Sequence, residues 1–382
     1  MTNDFSGDKI KSQFRNIGTI KNLSALIADK SNPIILISPL FGSSKSLLVD
    51  LLSESEHQII VLMTNVQTAA EFTVELSELG LSDHTISIID FKTEAVQEKL
   101  TDILSRERFV LVSTYQLLNC EFPAKKTIEG NTTKIQVGGD LTYNDLVEYL
   151  NLLNYQKDKF VEAPGDYSQR GSIIDYWSFS EKNPVRLEFD GDFLESIRYF
   201  DPESQRSIQE ISIATLAGSL NSNNEIANKN NLVDIFDYLT NPLILASSFE
   251  LNNLLKEKVI LFDEEKSADN PSELIEFNED EFPEPVEKVN NIILPQPPAE
   301  GSDYVFNPNA RWLVENELIT STNRIDLGFT EVPSINSNYE FLFTVLTENA
   351  NRNYTIIITS ENDLQSARLK DLLSEFKPEL ET

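Results

Sequence analysis

The sequence predicts an α/β protein in which a parallel sheet is interrupted by an inserted α+β domain. Three observations support this fold class: short apolar runs alternate with amphipathic segments over residues 34–113, strands without intervening helices follow, and strand and helix patterns return afterwards. Strands that alternate with helices indicate a parallel sheet covered on both faces. The predicted domains are residues 1–124, 125–216 and 217–382, and the last returns to the sheet of the first.

The first domain contains predicted strands and helices in alternation. The strands are short and rich in β-branched residues, and they read "IILIS", "QIIVLM", "TISIID" and "FVLVS". Between them, apolar residues at helical spacing predict helices in "KSLLVDLLSESE", "NVQTAAEFTVELSELG" and "EAVQEKLTDILSRER". Gly80 is placed to end the second helix.

The second domain does not show this alternation of predicted strands and helices. "TIEGNTTKIQVGG" predicts an irregular strand pair, and "LTYNDLVEYLNLLNY" predicts a helix that Thr142 caps, with Asp145 three residues further on. Five strands are then expected in "KFVEA", "GSIIDYW", "NPVRLEF", "LESIRYF" and "QEISIA". "FDGDF" between two of them suits a tight hairpin turn.

The third domain begins after a polar linker. "LVDIFDYL" and "SSFELNNLLKE" predict helices, and "KVILFDEE" predicts a buried strand that ends in acidic residues. The acidic run at residues 263–288 is typical of a solvated surface. A last strand and helix are expected in "NYTIIITSENDLQSARLKDLLSEF".

The charge balance limits the classes of function. The chain of 382 residues has 62 acidic and 31 basic side chains, a net charge of −31. Such a field repels phosphate backbones, so broad nucleic-acid binding is disfavoured. One cysteine, Cys120, excludes an internal disulfide. No apolar run approaches the roughly 20 residues that span a bilayer. We therefore expect a cytoplasmic protein with no membrane partner.

The stretch "SPLFGSSKSLLV", residues 38–49, has the outline of a phosphate-binding loop between a strand and a helix. Lys45 and Ser46 match the end of the motif G-x-x-x-x-G-K-[ST], but Pro39 and Ser44 replace its two glycines. Proline lacks the backbone N–H, and a side chain obstructs the close wrap around phosphate. The sequence thus predicts a degenerate P-loop in a sheet of the RecA or helicase type.

The second half of such a site is an acidic pair after an apolar strand, which holds Mg²⁺. Asp263 and Glu264 at the end of "VILFDEE" have this form. Because the loop lacks the two glycines that allow its backbone to surround phosphate, we expect no catalytic residue and no bound ATP or Mg²⁺ in this chain. The alternative is an active P-loop NTPase or helicase half that uses Lys45, Ser46, Asp263 and Glu264.

Residues 161–207 contain a dense series of motif residues. They are, in order, Pro164-Gly165-Asp166-Tyr167, Arg170-Gly171-Ser172-Ile173-Ile174-Asp175, Pro184-Val185-Arg186-Leu187-Glu188-Phe189, Gly191-Asp192, Glu195-Ser196-Ile197-Arg198, Phe200-Asp201 and Ser204-Gln205-Arg206-Ser207. The series resembles a family pattern that is approximately PGEFxxRGGIIDIFP followed by PxRIEFFGDEIESIRxFDxxTQRS. This pattern is that of the UvrB-homology module of UvrB and of bacterial transcription-repair coupling factors (Mfd). The loop "GSSKSLL" looks like the degenerate loop of the coupling factors, not like the intact loop of UvrB.

The resemblance implies an order of domain 1a, inserted domain 2 and domain 1b, which agrees with the three blocks. It implies that domain 2 docks onto UvrA, the damage-recognition protein. In the family, the ATPase motor, the RNA polymerase-binding domain and the DNA contacts lie downstream, so we expect the N-terminal portion of a coupling factor, cut within domain 1b and without enzyme activity. A third possibility is an acidic scaffold for another repair or transcription protein.

The resemblance also implies which residues contact UvrA. Arg170 and Arg186 match the family's two partner-contacting arginines, and Phe189 and Asp190 occupy its aromatic pair. Asp190 replaces the second aromatic, for which Phe193 could partly substitute. This interpretation requires both guanidinium groups to be exposed, as a local positive patch. The alternative is that they pair with neighbouring carboxylates and only hold the sheet together.

The remaining polar and aromatic candidates carry weaker signals. His57 and His84 have no partners at ligand spacing, so no metal site is expected. Cys120 has no evident base and is expected to be an inert thiol. Trp177 and Trp312 are expected to pack in the core.

Overall fold

The computed structural model describes residues 7–29, 33–220, 232–251, 253–254, 310–316, 325–335, 338–352 and 363–376, with residues 307, 354, 356 and 358. The predicted strand "KVILFDEE", with Asp263 and Glu264, lies outside the described residues, as does the acidic run at 263–288. Among the described helices, none is long and apolar enough to cross a membrane.

The elements of the first block alternate between helix and strand after two N-terminal helices. In chain order they are α1 (Gly7–Arg15), α2 (Gly18–Ala28), β1 (Ile34–Ile37), α3 (Ser44–Ser53), β2 (Gln58–Met63), α4 (Val66–Glu78), β3 (Thr85–Ile88), α5 (Thr93–Ser105) and β4 (Val110–Thr114). All the predicted strands and helices of this block are present. Gly80 has φ +85°, the left-handed conformation expected just after a helix end.

The second block is richer in strands. Its elements are β5 (Phe122–Pro123), α6 (Lys125–Gly130), β6 (Thr132–Gln136), α7 (Tyr143–Leu152), β7 (Gln156–Lys157), β8 (Asp166–Arg170), β9 (Ile173–Tyr176), β10 (Val185–Asp190), β11 (Phe193–Phe200), β12 (Ser207–Ile211) and β13 (Ile213–Ala217). The predicted cap of α7 is confirmed, since the Thr142 hydroxyl accepts from the Asp145 N–H in a capping box.

The third block returns to the α/β pattern. Its elements are β14 (Leu232–Val233), β15 (Pro242–Ser247), β16 (Arg311–Glu315), α8 (Tyr339–Asn351) and α9 (Asp363–Phe376). The predicted helix "LVDIFDYL" is instead the short strand β14 followed by a 3₁₀ turn, Ile235–Tyr238.

The first sheet has six strands in the order β1-β16-β15-β2-β4-β3, and every pairing is parallel. Two of its strands, β15 and β16, come from after the second block, so the predicted interruption of a parallel sheet is confirmed. β16 lies between β1 and β15, with Ile37 opposite Glu315. This register brings Glu315 to the loop that follows β1.

Both faces of the first sheet are covered, as the alternation of strands and helices predicts. Ile35 and Ile37 of β1 belong to one buried cluster with Leu48 of α3, and Leu36 belongs to the opposite cluster with Leu100 of α5. Successive residues of a strand point to opposite faces, which explains the division. Continuous burial of short apolar strands is typical of parallel sheets.

The second sheet has the order β12-β11-β10-β9-β8-β7 and is antiparallel except for the pairing of β7 with β8. Its strands lie within residues 156–211, inside the predicted domain 125–216, whose exact boundaries stay predictions. One face is apolar and packs on α7, where Leu146 and Leu150 are fully buried. The other face is polar, because Arg186 and Glu188 alternate along β10 with buried apolar residues.

Three predictions for the second block were wrong in detail. "TIEGNTTKIQVGG" is not a strand pair: α6 precedes β6, and β6 pairs with the distant strand β13. "KFVEA" is not a strand, and the polar segment of β8 takes its place in the sheet. "QEISIA" is divided at Ser212 between β12 and β13, which belong to different sheets.

Candidate functional site

The loop between β1 and α3 retains the shape of a strand-to-helix turn without the features that bind phosphate. Gly42 has φ +52°, so a glycine is needed there, but it is not at a motif position. The backbone N–H and the hydroxyl of Ser44 both donate to the carbonyl of Phe41, at 3.2 and 2.8 Å. The first amide of α3 is therefore used inside the loop.

Lys45, the motif lysine, pairs with a carboxylate of its own chain. Its Nζ lies 2.5 Å from Oε1 of Glu315, and the Glu315 side chain is only 9% exposed. The other carboxylate oxygen, Oε2, accepts the backbone N–H of Leu40 at 3.0 Å. A lysine and a loop N–H thus hold the two oxygens of one anionic group, as they would hold phosphate oxygens in a working loop.

Ser46, the second matching residue, is also engaged. It is fully buried, and its hydroxyl lies 2.7 Å from Oε1 of Glu75 on α4 and 2.9 Å from the carbonyl of Ser43. Both functional side chains of the motif therefore contact carboxylates supplied by neighbouring elements.

Acidic charge collects at this end of the first sheet. Tyr115 follows β4, and its hydroxyl accepts the backbone N–H of Ser247 at 2.5 Å. Burial raises the pKa of Tyr115 well above its ordinary value, and the charges of Glu315 and Glu250 add to the effect. Such surroundings disfavour a further anion.

Sequence reasoning missed Glu315. It took the acidic half of the site from Asp263 and Glu264, which lie outside the described residues. The signal was available, because "RWLVEN" is an apolar strand that ends in an acid in the same way as "VILFDEE".

The second candidate site is the polar face of the second sheet, centred on Asp175. The Asp175 side chain is 2% exposed and lies between two guanidinium groups. Arg186, directly opposite on β10, donates from Nε to Oδ1 at 2.7 Å and from a terminal nitrogen to Oδ2 at 2.9 Å. Arg170 on β8 donates to the same Oδ2. Two arginines therefore share one buried carboxylate.

All three guanidinium nitrogens of Arg186 donate to acceptors of its own chain, which corrects the expectation that this residue is exposed. Its side chain is 14% exposed, and its remaining donors reach the carbonyl and the side-chain oxygen of Gln205 at 3.3 and 3.4 Å. Its guanidinium carbon lies 4.5 Å from the ring centroid of the buried Phe200. The hydrogen bonds to Asp175 raise the pKa of Arg186. The alternative of internal pairing is correct for this residue.

The contacts of Arg186 explain why the family-like motif extends to Ser207. Gln205 adopts φ +58°, and its N–H donates to the carbonyl of Asp201 at 2.8 Å. Asp201 also accepts from the N–H and the hydroxyl of Ser204, at 2.7 and 2.6 Å. The tight turn at residues 201–206 thus presents Gln205 to Arg186, so this part of the motif supports the sheet.

Arg170 is the accessible arginine of the pair. Its side chain is 44% exposed, and within the described parts of the chain Asp175 is the acceptor found for its guanidinium. It lies beside Gly171, whose φ of +60° forms the β8–β9 turn. The β10–β11 turn, where Gly191 has φ +61°, lies at the same end of the sheet, because the Phe189 N–H donates to the carbonyl of Ser172.

We call this end of the sheet, residues 170–172 and 190–193, the turn edge. Asp190 is exposed there, and Phe193 opposite it is 56% exposed. Phe189 is not part of the edge: it is 3% exposed and packs edge-on against Tyr143, with ring centroids 5.4 Å apart. The prediction that Phe189 is available for a partner is wrong, because its side chain points to the apolar face.

The turn edge is not the positive patch that was expected. It has one guanidinium group, from Arg170, and two exposed carboxylates, from Asp190 and Asp192. On the polar face beyond it, Arg198 pairs with Glu188. The edge therefore offers a directional arginine and an aromatic ring rather than a broad positive field.

The minor candidates do not form a site in the described residues. Burial raises the pKa of the Cys120 thiol, which makes it less reactive at neutral pH. Trp312 is 1% exposed and packs in the core. No cluster of three His, Cys, Asp or Glu side chains that could hold a metal ion occurs in the part of the chain that the structure describes.

The comparisons with known proteins agree with this division. Residues 133–219 match the family model described as the UvrB interaction domain. That span contains α7 and the whole second sheet. The second sheet and its helix are thus similar to the UvrB interaction domain, and the wider chain is similar to one particular kind of protein.

The chain is similar to curated transcription-repair-coupling factors. It is 28% identical over 191 residues to that of Bacillus subtilis, which covers 46% of this chain and 16% of the relative. With the factor of Myxococcus xanthus it is 42% identical over 78 residues, 20% of this chain and 6% of the relative. With that of Escherichia coli it is 23% identical over 195 residues, 47% of this chain and 17% of the relative.

The chain spans about a third or less of the length of these relatives. Together, the family match and the relatives confirm the resemblance to the N-terminal module of transcription-repair coupling factors.

Proposed function

We propose that this chain is a protein-docking module that binds UvrA and recruits it to stalled transcription sites for nucleotide excision repair. The observation that carries the proposal is the match of residues 133–219 to the UvrB interaction domain. The module would act in the cytoplasm. Contacts with RNA polymerase and DNA, and any ATP-driven motor, would belong to regions beyond this chain.

The turn edge is the proposed contact surface, and Arg170 is its central residue. Arginine is favoured at interaction hot spots because its planar guanidinium can make paired hydrogen bonds to a carboxylate. Asp175 fixes one side of the Arg170 guanidinium and leaves the side chain 44% exposed. A carboxylate of the partner can therefore approach a donor that is already oriented, which reduces the entropy lost on binding.

Phe193 supplies the proposed aromatic anchor. Asp190 stands where the family usually has an aromatic residue, and the two side chains are directly opposite across the hairpin. At 56% exposure, the Phe193 ring can bury apolar area against a partner. Arg186 is proposed as a supporting residue, which holds Asp175 and through it orients Arg170.

The absence of nucleotide turnover is part of the proposal. Lys45 and Ser46 are engaged by Glu315 and Glu75, and Ser44 uses its N–H within the loop. These contacts support a loop that connects β1 to α3 without binding ATP or Mg²⁺. Titration with Mg-ATP tests this: we expect no heat of binding, whereas saturable binding with hydrolysis would favour the NTPase alternative.

The decisive experiment measures binding of UvrA to the full chain and to Arg170→Ala. We expect the affinity to fall about thirtyfold, the loss of about 2 kcal/mol at a hot spot. Arg106→Ala is the matched control, since Arg106 is 32% exposed and also pairs with an aspartate, Asp102, but lies on α5's C-terminal side in the first block. Its affinity should equal that of the unmodified chain.

Two results would contradict the proposal. If the unmodified chain ignores UvrA, the docking function is wrong and the acidic-scaffold alternative gains support. If UvrA binds and Arg170→Ala binds equally well, the docking function stands but the turn edge is not the contact. A melting curve of each variant confirms that the fold is retained.

A further inference from the structure

We propose that Glu315 is a built-in occupant of the degenerate loop: its carboxylate fills an oxyanion site that would otherwise accept a phosphate-class ligand. The inference concerns the first sheet and does not rest on the docking function. It follows from two contacts that one buried side chain makes with a loop far from it in the sequence, and from the strand register that places it there.

Each oxygen of the carboxylate has one partner in or beside the loop, an ion pair on Oε1 and a hydrogen bond on Oε2. Oε1 pairs with the Lys45 ammonium at 2.5 Å, and Oε2 accepts the Leu40 N–H at 3.0 Å. A side-chain cation and a backbone N–H just before a helix are the donors by which a phosphate-binding loop holds phosphate. The site is therefore still built for an oxyanion, although two glycines are gone.

The register of the first sheet keeps Glu315 beside the loop in the folded chain. Glu315 is the last residue of β16 and lies opposite Ile37, three residues before Leu40. Its neighbour Asn316 donates its N–H to the carbonyl of Ile37 at 2.9 Å, which fixes the strand end beside the loop. A tethered group acts at an effective concentration on the order of millimolar or higher, so a free anion competes poorly with it.

Lys45 and Glu315 also depend on each other for the neutralisation of their charges. The Glu315 side chain is 9% exposed and the Lys45 side chain 23% exposed, so neither charge is fully hydrated. A charge that loses its partner while buried is destabilising, and an external ion of the same sign as the lost group can replace it. Removal of the carboxylate should therefore create an anion requirement that the unmodified chain does not have.

The test measures anion binding to Glu315→Ala by calorimetry and by thermal melting. Inorganic phosphate is compared with chloride at equal ionic strength. We expect the variant to melt at a lower temperature than the unmodified chain and to regain stability in phosphate more than in chloride. Its affinity for phosphate should exceed that of the unmodified chain at least about tenfold.

Two controls isolate the oxyanion site. Glu75→Ala removes the carboxylate beside Ser46, for which the described residues show no ion pair, so phosphate should not stabilise this variant more than chloride does. The double variant Lys45→Ala with Glu315→Ala removes the cation as well and should lose the phosphate effect of the single variant. Binding of UvrA by Glu315→Ala should be unchanged, which separates this inference from the docking function.

Three outcomes would overturn the inference. The first is that the unmodified chain binds phosphate as well as Glu315→Ala does, which would show that the carboxylate does not block the site. The second is that phosphate stabilises Glu315→Ala no more than chloride does. The third is that the phosphate effect survives in the double variant, which would show that Lys45 is not a ligand. Should Glu315→Ala not fold, Glu315→Ser also removes the carboxylate and leaves space for phosphate, and the same three criteria apply to it.

Discussion

In the first sheet, one ammonium group meets one buried carboxylate; in the second sheet, two guanidinium groups share one. Lys45 and Glu315 balance each other, and Ser46 adds a contact with a second carboxylate, Glu75. Asp175, by contrast, neutralises only one of its two arginines. The local balance of charge thus differs between the two places where the sequence predicts function.

This contrast shows how a cation at a motif position should be interpreted in a protein of this charge. An arginine or lysine beside a carboxylate is not thereby removed from function: what matters is whether the cations outnumber the acids and whether one of them reaches solvent. Arg170 meets both conditions, with its side chain 44% exposed. Lys45 meets neither, since one carboxylate already balances its charge and its side chain is 23% exposed.

The largest effect is expected from Asp175→Asn, which leaves two guanidinium groups without their shared charge. Because Arg186 is only 14% exposed, the free energy of unfolding should fall by about 3 kcal/mol or more. Urea unfolding measures it, with Glu315→Gln as the comparison from the first sheet. There the loss should be smaller, because one cation rather than two loses its charge partner. Equal losses in the two variants would remove the distinction between the sheets.

An intermediate effect is expected from Phe193→Ala, on UvrA binding and not on stability. Loss of an exposed aromatic anchor should weaken binding about tenfold, and the melting temperature should stay the same. Ile208→Ala is the matched control, because Ile208 is 55% exposed but lies on β12, toward the opposite end of the sheet from the turn edge. If both variants bind UvrA alike, the contact surface lies elsewhere on the module.

The smallest effect concerns pH and the turn that supports Arg186. The hydrogen bonds from Ser204 lower the pKa of Asp201 below its ordinary value of 3.8. At a pH between the lowered pKa of the folded state and the ordinary pKa of the unfolded state, the unfolded chain binds more protons than the folded one. The charge of Asp201 therefore stabilises the fold above the unfolded pKa, and this contribution is lost as the pH falls through the folded pKa. Below about pH 4, Asp201→Asn should therefore flatten the pH dependence of the melting temperature slightly. An unchanged acid profile would show that the turn does not depend on that charge.

The sequence was sufficient for most of the first sheet. Four of its strands, β1 to β4, are short apolar runs separated by amphipathic helices, and periodicity identifies both. The strands β15 and β16 were not predicted. The strand β8 escaped prediction, because "DYSQR" is polar and is held by its neighbours on either side rather than by its own pattern. "QEISIA" looked like one strand, since local propensity does not reveal that its two halves pair with different partners.

The candidate sites were predicted less well, for a reason of distance along the chain. Glu315 contacts Leu40 across 275 residues, and only the parallel pairing of β1 with β16 brings them together. Arg186 was placed on the correct strand, but its burial depends on Phe200 and on the turn at Gln205. The family-like motif identified residues that belong together without showing which of them face a partner.

The position of β16 in the first sheet also sets an order of assembly during synthesis. Within that sheet, β1 has β16 as its neighbour, so it stays without a strand partner until residues 311–315 leave the ribosome. The second sheet is complete at residue 211, one hundred positions earlier. The second sheet can therefore fold before β1 has a strand partner, and a nascent chain has its turn edge before its first sheet is closed.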